Sequence, residues 1–277
     1  MQSIYIARRL VEPEYIWTDL AEIAAHQNSN SRLWRILWGR QFRYQTRIAA
    51  KTCNRFTTVS KSLQILFLHE FGIRADLMAN TPQRRPDLHF HVTNSGRIRL
   101  VHTGAAIPSR GLEKIILAVS QLPDEFELDL FLTGQSTSYR RYLEILESKF
   151  SNVAVRDAVE PARLLDTINQ YDASIVFVDP RNANQQFCLP NKFFDSIQAR
   201  VPIISGPTPD IVQIIETHQV GWVTDGFEVE DLIRLLRTIN RESLGALAWP
   251  LEKASQEFVA RDEIHVERFL QKSVTVI

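Results

Sequence analysis

A loop with two glycines and an arginine, at residues 104–111, is the first place where residue types and spacing fit a chemical role. The loop reads Gly-Ala-Ala-Ile-Pro-Ser-Arg-Gly and separates an apolar run from an amphipathic one. Gly104 lets a ligand approach the backbone closely, and Arg110 can donate paired hydrogen bonds to a phosphate. Because a helix N-terminus also favours anions, the pattern predicts a diphosphate site, while a plain strand-to-helix turn with a solvated arginine remains the alternative. The spacing matches neither a Walker loop nor the dinucleotide fingerprint.

The second candidate is a helix start at residues 190–195, Pro-Asn-Lys-Phe-Phe-Asp. Pro190 and Asn191 favour the N-terminus of a helix. Lys192 falls in the first turn, where a cation opposes the helix dipole, so an anionic ligand would explain its position. The carboxylate of Asp195 can accept hydrogen bonds from a ribose diol. The alternative is an ordinary helix start with an exposed Lys192–Asp195 ion pair, worth about 0.3 kcal/mol.

A third pattern combines arginines with aromatic residues over residues 31–50, which are predicted to form a long amphipathic helix. The residues expected to face a membrane are Arg32, Trp34, Arg35, Trp38 and Arg43. Such a mixture is typical of an interfacial helix on anionic lipid, where each cation near the surface contributes about 1 kcal/mol. The alternative is a helix whose apolar face packs in a domain while its arginines are solvated. Nucleic-acid binding is not favoured, because no recognition motif accompanies the charge.

The net charge of the chain hides an uneven distribution of acidic and basic residues. The 277 residues contain 32 basic and 32 acidic side chains, which sum to zero. Residues 23–69 nevertheless contain no acidic residue, and their basic residues are Arg32, Arg35, Arg40, Arg43, Arg47, Lys51, Arg55 and Lys61. Positive charge is therefore concentrated in one segment, as expected for contact with an anionic membrane surface.

The overall composition is that of a globular protein, with 44% hydrophobic and 23% charged residues. Cys53 and Cys188 are too few for a disulfide framework and lack the CxxC spacing of a zinc or redox site, so a reducing compartment is expected. The sequence has no long apolar run and no signal-peptide pattern at its N-terminus. We expect no metal site, and a cytoplasmic protein that is soluble or peripheral at the inner membrane face.

Short apolar runs alternate with amphipathic ones from residue 97 onward, which predicts βα units around a parallel sheet. The predicted strands are 98–103, 128–133, 153–156, 174–178, 202–205 and 221–224. The predicted helices are 112–121, 139–150, 162–170, 192–200, 210–217 and 229–239. Both candidate clusters then follow strands, where the ligand crevice of a doubly wound domain lies. Pro250 is expected to break a helix and leave a separate terminal helix at 251–272.

The first part of the chain is organised differently. Strands are predicted at 15–18, 55–59 and 75–78, with the long basic helix at 31–50 and a helix capped by Ser60 at 61–71. The prolines in the polar stretch 80–86 indicate a linker. The predicted domains are therefore a partial N-terminal α/β domain at 1–92, a complete Rossmann-like domain at 93–245 and a helical segment at 246–277.

Taken in order, these motifs resemble the glycosyltransferases of GT-B fold, in particular the large family-4-like group of retaining sugar transferases. The resemblance rests on Val-His-Thr-Gly at 101–104, Ser-Arg-Gly-Leu-Glu at 109–113, and the helix start at 190–195 followed by Pro-Ile-Ile at 202–204. Val59-Ser60, Met78-Ala-Asn80 and Asp19-Leu-Ala-Glu22 are similar to elements of the family's N-terminal domain. The resemblance spans about residues 15–240.

The resemblance implies a nucleotide-sugar donor, as a substrate rather than a cofactor, held by Gly104, Arg110, Pro190, Asn191, Lys192 and Asp195. Arg110 and Lys192 would act as the catalytic cations by offsetting the charge of the leaving diphosphate, without a metal. Asp195 would bind the ribose hydroxyls. The acceptor would be a glycan or a lipid-linked molecule, and no nucleic acid is expected.

The sequence departs from the family pattern in three respects. Ala105 stands where the family often has an arginine, and Phe187 stands where it often has a glutamate. The N-terminal domain is expected to be incomplete, with the family's acceptor-side glycine loop and histidine region missing. Two alternatives to a transferase of cell-surface polysaccharide or glycolipid synthesis follow: a nucleotide-sugar-binding remnant without turnover, and a sugar-nucleotide epimerase of the same fold.

Overall fold

The computed structural model of the chain describes residues 16–22, 38–94, 96–108, 110–134 and 137–260. These residues form two compact units. The smaller unit contains residues up to 80 together with 180–189, and the larger unit contains residues 81–179 and 190–260. The candidate donor-site residues all belong to the larger unit.

The strands are β1 (Trp17–Leu20), β2 (Arg55–Thr58), β3 (Asp76–Leu77), β4 (Ile98–Ala105), β5 (Phe126–Thr133), β6 (Val153–Asp157), β7 (Ala173–Val176), β8 (Ile203–Ser205) and β9 (Gly221–Val223). The helices are α1 (Arg40–Thr52), α2 (Lys61–Phe71), α3 (Leu112–Val119), α4 (Ser138–Glu147), α5 (Leu164–Asn169), α6 (Ala183–Gln186), α7 (Asn191–Gln198), α8 (Pro209–His218), α9 (Val229–Leu236), α10 (Arg241–Gly245) and α11 (Ala248–Glu257). A 3₁₀ turn, Pro161–Arg163, precedes α5.

The larger unit is built on a parallel sheet with the strand order β6-β5-β4-β7-β8-β9. The chain runs outward in one direction from β4 and in the other from β7, so the order reverses between these two neighbouring strands. This arrangement confirms the predicted doubly wound fold. In such folds the ligand crevice lies at the carboxyl ends of the strands, at the point of reversal.

The burial pattern explains why these strands occupy these places. Every residue of β7 and β8 is buried, which is the usual condition of central strands covered by helices on both faces. In β5, buried residues alternate with partly exposed ones. The buried side chains of the sheet pack against α3 and α9 in one apolar core that includes Leu100, Ile115, Leu130, Phe177 and Leu232.

The smaller unit has a parallel sheet with the order β1-β2-β3 and a core that includes Leu20, Phe56 and Phe67. Ser60 caps α2 as predicted, because its hydroxyl accepts a hydrogen bond from the amide of Leu63 at 3.2 Å. The prediction that the first strand ends before Asp19 is wrong. The hydroxyl of Thr57 donates to Asp19 Oδ1 at 2.7 Å, which satisfies the carboxylate within the strand.

The predicted helix break at Pro250 is also wrong. Pro250 is the third residue of α11 and so lies in the first turn, where a helix needs no backbone N–H from it. The helix ends at Glu257, and the part of the predicted terminal helix beyond residue 260 lies outside the described residues.

The compact units divide the chain differently from the predicted domains 1–92, 93–245 and 246–277, because residues 81–92 and α11 both belong to the larger unit. The buried side chain of Arg200 connects them: Nη2 donates to the carbonyl of Arg85 at 3.0 Å, and Nε pairs with Glu252 at 3.0 Å. Gln198 donates to the carbonyls of Ser255 and Phe258.

Candidate functional site

The two clusters predicted from the sequence lie at adjacent points of the larger unit. Gly104 is the second-last residue of β4, and α7 begins at Asn191 in the segment that follows β7. Since β4 and β7 are hydrogen-bonded neighbours at the point where the strand order reverses, both clusters belong to the crevice of the doubly wound sheet.

Lys192 is buried, with 8% of its surface exposed, although it carries a charge and lies in the first turn of a helix. Its ammonium Nζ lies 3.2 Å from Nε2 of His102, a residue of β4. The exposed Lys192–Asp195 ion pair is not present among the described residues. The lysine side chain is directed instead toward the end of β4, where its charge can act on a bound anion.

Gly104 makes room for this lysine. A Cβ atom at Gly104 would lie 3.0 Å from Lys192 Nζ and 3.6 Å from its Cε. Its φ of 151° is also a conformation that residues with a side chain rarely adopt. The close approach expected at Gly104 is therefore made by the side chain of Lys192, one of the residues expected to bind the same ligand.

His102 contacts a candidate site residue, Lys192, and was not among the residues predicted from the sequence. Its side chain is 1% exposed, and its Nδ1 lies 2.8 Å from the carbonyl oxygen of Ile175 on β7. Burial, followed by the charges of Lys192 and Arg110, holds the pKa of His102 well below its usual value. His102 stands inside the Val-His-Thr-Gly motif at 101–104, two residues before Gly104 on the same strand, but the motif did not indicate a role for its side chain.

Arg110 precedes Gly111, the N-cap residue of α3, which has a left-handed φ of 70°. The Arg110 side chain is partly exposed, and among the described residues it has no hydrogen-bond or ion-pair partner. Its charge is close enough to lower the pKa of His102. Lys192 and Arg110 are therefore both close enough to act on His102, and Lys192 lies in the first turn of α7, whose N-terminus no side chain caps. This is a suitable arrangement for a diphosphate.

Asp195 lies one turn into α7 and is partly exposed. Desolvation raises the pKa of its carboxyl to about 6. Within the part of the chain that the structure describes, its side chain has no hydrogen-bond or ion-pair partner. Pro190 is the N-cap of the same helix, and Asn191 at its first position is exposed. Asp195 thus offers a carboxylate whose hydrogen-bonding capacity a ligand can use.

Further polar groups near this edge of the sheet are paired with one another. Lys114 of α3 contacts Asp179 at 3.0 Å and Glu228 at 3.2 Å. The hydroxyl of Tyr139 donates to the carboxylate of Glu113. These contacts tie α3 to the loops after β7 and β9 and to α4, and so fix the helix that follows Arg110.

The two positions that depart from the family pattern have different environments. Ala105 is the last residue of β4. Phe187, which follows α6, packs against the core of the smaller unit, and its carbonyl accepts a hydrogen bond from Ser60 Oγ at 2.9 Å. An apolar residue at position 187 therefore serves packing.

Glu127 and Asp129 form an acidic pair on β5, and both contact cations rather than standing open to a metal ion. Glu127 pairs with Arg99 at 3.0 Å, and Asp129 pairs with Arg156 at 2.6 Å. The described residues contain no group of three or more histidine, cysteine or carboxylate side chains arranged to hold a metal ion.

Of the residues expected to face a membrane, Trp38 and Arg43 are described, while Arg32, Trp34 and Arg35 lie outside the described residues. Trp38 is 55% exposed just before α1, and Arg43 is exposed on it. The other exposed side chains of α1 are Arg40, Gln41, Tyr44, Arg47 and Lys51. The opposite face of the helix packs through Phe42 and Ala49 into the core. None of the described helices has the length and apolar character needed to span a bilayer.

No family model matches the sequence, and no curated protein matches it. Solved structures do match the fold. HepE of Anabaena, solved in complex with UDP, superposes over 98% of this chain and 75% of its own, with a TM-score of 0.75 and 12% identity. Sucrose-phosphate synthase from Thermosynechococcus elongatus gives 0.72 with 11% identity, over 98% of this chain and 70% of its own.

TarM gives a TM-score of 0.68 with 10% identity over 94% of this chain, which spans only half of TarM's length. These likenesses show a Rossmann-like α/β fold of the GT-B type.

Proposed function

We propose that the chain is a glycosyltransferase that moves a sugar from a nucleotide-sugar donor to a glycan or lipid-linked acceptor, in the synthesis of a cell-surface polysaccharide or glycolipid. The observation that carries the proposal is the buried ammonium of Lys192 at the end of β4, next to the side-chain-free Gly104. The ammonium lies in the first turn of a helix at the crevice of the sheet, where a donor diphosphate can accept its hydrogen bonds and interact with its charge.

In this proposal the reaction is driven by stabilising the leaving nucleoside diphosphate. Negative charge grows on the diphosphate as its bond to the sugar breaks. Lys192 and the first-turn amides of α7 are held in place before the reaction, and with Arg110 they interact more strongly with the charge of the transition state than with that of the donor. Asp195 accepts hydrogen bonds from the ribose diol. The proposed enzyme uses no metal and no cofactor and belongs to the retaining, family-4-like group.

We propose that the enzyme meets its acceptor at an anionic membrane surface on the cytoplasmic side. The basic face of α1 would contact that surface. Exposed cations and aromatic side chains share that face, while its apolar side chains are already packed in the core. Such a surface binds mainly through charge, with Trp38 and Tyr44 at the headgroup level. Another solved structure of similar fold, WaaG, is a glycosyltransferase involved in lipopolysaccharide biosynthesis, with a TM-score of 0.62 and 15% identity over 91% of this chain and 72% of its own.

Calorimetric titration with UDP, GDP and ADP tests the donor site. Wild-type protein is expected to bind at least one of them, and Lys192→Met and Arg110→Ala are each expected to weaken that binding by about 10-fold or more, the usual effect of losing a charged hydrogen bond. Lys149→Met, at an exposed lysine of the same unit, is the matched control and should change nothing. Absence of binding, or equal affinities in all three variants, would overturn the site.

Turnover is tested separately by donor hydrolysis and by transfer to a lipid-linked acceptor in the presence and absence of EDTA. Transfer that persists with EDTA supports the metal-independent mechanism. Binding without either reaction would show a binding protein rather than a transferase.

A further inference from the structure

A chain of hydrogen bonds crosses the point where the strand order of the larger unit reverses. It runs from the carbonyl of Ile175 on β7, through the ring of His102 on β4, to the ammonium of Lys192 on α7. Both ends of this chain fix the protonation of the ring. The carbonyl of Ile175 can only accept, so Nδ1 carries the proton; the ammonium of Lys192 can only donate, so Nε2 accepts.

The surroundings of the ring favour the same neutral form. His102 is 1% exposed, and the charges that act on it are those of Lys192 and Arg110, both positive. A second proton would place an imidazolium 3.2 Å from an ammonium in a buried site. The low pKa of His102 agrees with this geometry. The ring is therefore a permanent acceptor for Lys192 throughout the neutral pH range.

A lysine side chain needs such an acceptor to adopt one position. Its four-carbon stem rotates about several single bonds, and its ammonium is a compact charge without a preferred direction. Gly104 provides the space beside the ammonium, but space alone does not select a conformation. The Nε2 lone pair of His102 restricts the ammonium by accepting one of its three N–H donors at 3.2 Å.

We infer that His102 is a positioning residue of the donor site: its Nδ1–H tautomer, fixed by the carbonyl of Ile175, holds the ammonium of Lys192 where it meets the diphosphate. This inference rests on the proposed function, because the diphosphate is the ligand assigned there. His102 itself does not touch the ligand, and its effect is on the phosphate part of the donor alone.

Two substitutions separate the two hydrogen bonds of the ring. Glutamine can present its amide oxygen at about the reach of Nε2, so His102→Gln keeps an acceptor for Lys192. Asparagine can present its amide nitrogen at about the reach of Nδ1, so His102→Asn keeps the donor to Ile175 and loses the acceptor.

Affinity is measured for whichever of UDP, GDP and ADP binds tightest and for its nucleoside, which lacks the phosphates. His102→Asn is expected to weaken diphosphate binding about 10-fold, while His102→Gln stays within about 3-fold of wild type. Nucleoside binding should be unchanged in both. Equal diphosphate affinity in wild type and His102→Asn would overturn the inference, and so would an equal loss for nucleoside and diphosphate, which is the result of a general disturbance.

Lys192→Met serves as the reference in the same titration. If it weakens diphosphate binding and His102→Asn does not, the inference fails while the proposed function stands. If Lys192→Met has no effect or no nucleotide binds to wild type, the proposed site fails, and the inference with it.

The tautomer of His102 can be observed in the folded wild-type protein without a ligand. Nitrogen-15 NMR of the histidine rings, with His102 assigned by its absence from the His102→Gln spectrum, should show a protonated Nδ1 and an unprotonated Nε2 from pH 6 to pH 8. A proton on Nε2, or a ring protonated on both nitrogens, would overturn the inference.

Discussion

Asp195 makes the larger unit less stable as the pH rises. Burial raises the pKa of its carboxyl from 3.8 to about 6 in the folded protein, so the unfolded chain releases its proton first. The free energy of unfolding therefore falls as the pH rises between these two values and stays low above pH 6. We expect Asp195→Asn to stabilise the protein by up to about 3 kcal/mol at pH 8 and not at pH 3.5, as measured by urea unfolding.

The exposed Asp124 supplies the control, since Asp124→Asn should leave the unfolding free energy unchanged at both pH values. In the same preparation Asp195→Asn should bind the nucleoside more weakly, because the amide is a poorer acceptor for the ribose diol than the carboxylate. A variant that is less stable than wild type at pH 8 would mean that the carboxylate is held by favourable contacts rather than desolvated.

Gly104 has both an unusual backbone conformation and a close contact with the side chain of Lys192. The effects of these two features can be measured separately. Gly104→Ala forces a side chain into a φ of 151° and brings its Cβ to 3.0 Å from Lys192 Nζ. We expect a loss of stability of about 1–3 kcal/mol together with a loss of nucleoside diphosphate affinity.

Gly72, which ends α2 with a φ of 68°, has nothing within 4 Å of an added Cβ. Gly72→Ala should therefore lose about 1 kcal/mol of stability at unchanged affinity. Thermal unfolding and calorimetric titration give the two quantities. Unchanged affinity in Gly104→Ala would show that the lysine can move aside without consequence.

At the scale of the elements, the spacing of apolar residues and the local composition predict the strands of the larger unit well. The apolar run that becomes β4 begins at the predicted residue, Ile98, because its buried residues and its flanking loops are local signals. Boundaries shift where a distant residue satisfies a polar group, as Thr57 does for Asp19 in β1. Pro250 lies inside α11 because the helix begins two residues before it, which the preceding small and apolar residues do not signal.

The candidate site could be predicted only in part, for a related reason. Arg110, Lys192 and Asp195 are recognisable from the types of residue around them, and all three lie in the larger unit near its crevice. His102 contacts Lys192 at a sequence separation of 90, and only the alignment of β4 beside β7 brings Ile175 to its other nitrogen. A local pattern cannot predict a contact of that kind.

Membrane binding by the basic face of α1 can be tested by reversing its charges. Arg40, Arg43 and Arg47 are exposed on successive turns, and each cation near an anionic bilayer contributes about 1 kcal/mol. Substituting all three by glutamate is therefore expected to reduce binding to vesicles containing 30% phosphatidylserine by about 100-fold or more in flotation assays.

The matched control reverses the same number of charges on the larger unit, at the exposed Arg141, Arg163 and Arg237. It should retain vesicle binding. Equal losses in the two triple variants would show a non-specific effect of net charge, and no binding by wild type would contradict the proposed membrane surface.

At the scale of the whole chain, the larger unit depends on side chains that connect segments far apart in sequence. Arg200, 1% exposed, donates to the carbonyls of Arg85 and Gln198 and pairs with Glu252. The segment at residue 85 and helix α11 are thereby held to the end of α7, the helix that carries Lys192 and Asp195. Residue 85 and helix α11 fall outside the predicted Rossmann-like domain at 93–245. They nevertheless support α7, the helix on which part of the candidate site lies.

Arg200 has a φ of 60°, which is unfavourable for a residue with a long side chain, and this provides a direct test. Arg200→Gly relieves the backbone but removes every contact of the side chain and leaves Glu252 without its cation. Gln219, with a φ of 51° at the exposed end of α8, offers the same backbone change without buried contacts. We expect Gln219→Gly to change the free energy of unfolding by less than about 1 kcal/mol and Arg200→Gly to lower it by more than about 3 kcal/mol. Urea unfolding of both variants decides the point, because equal effects would mean that Arg200 is retained for reasons other than its buried contacts.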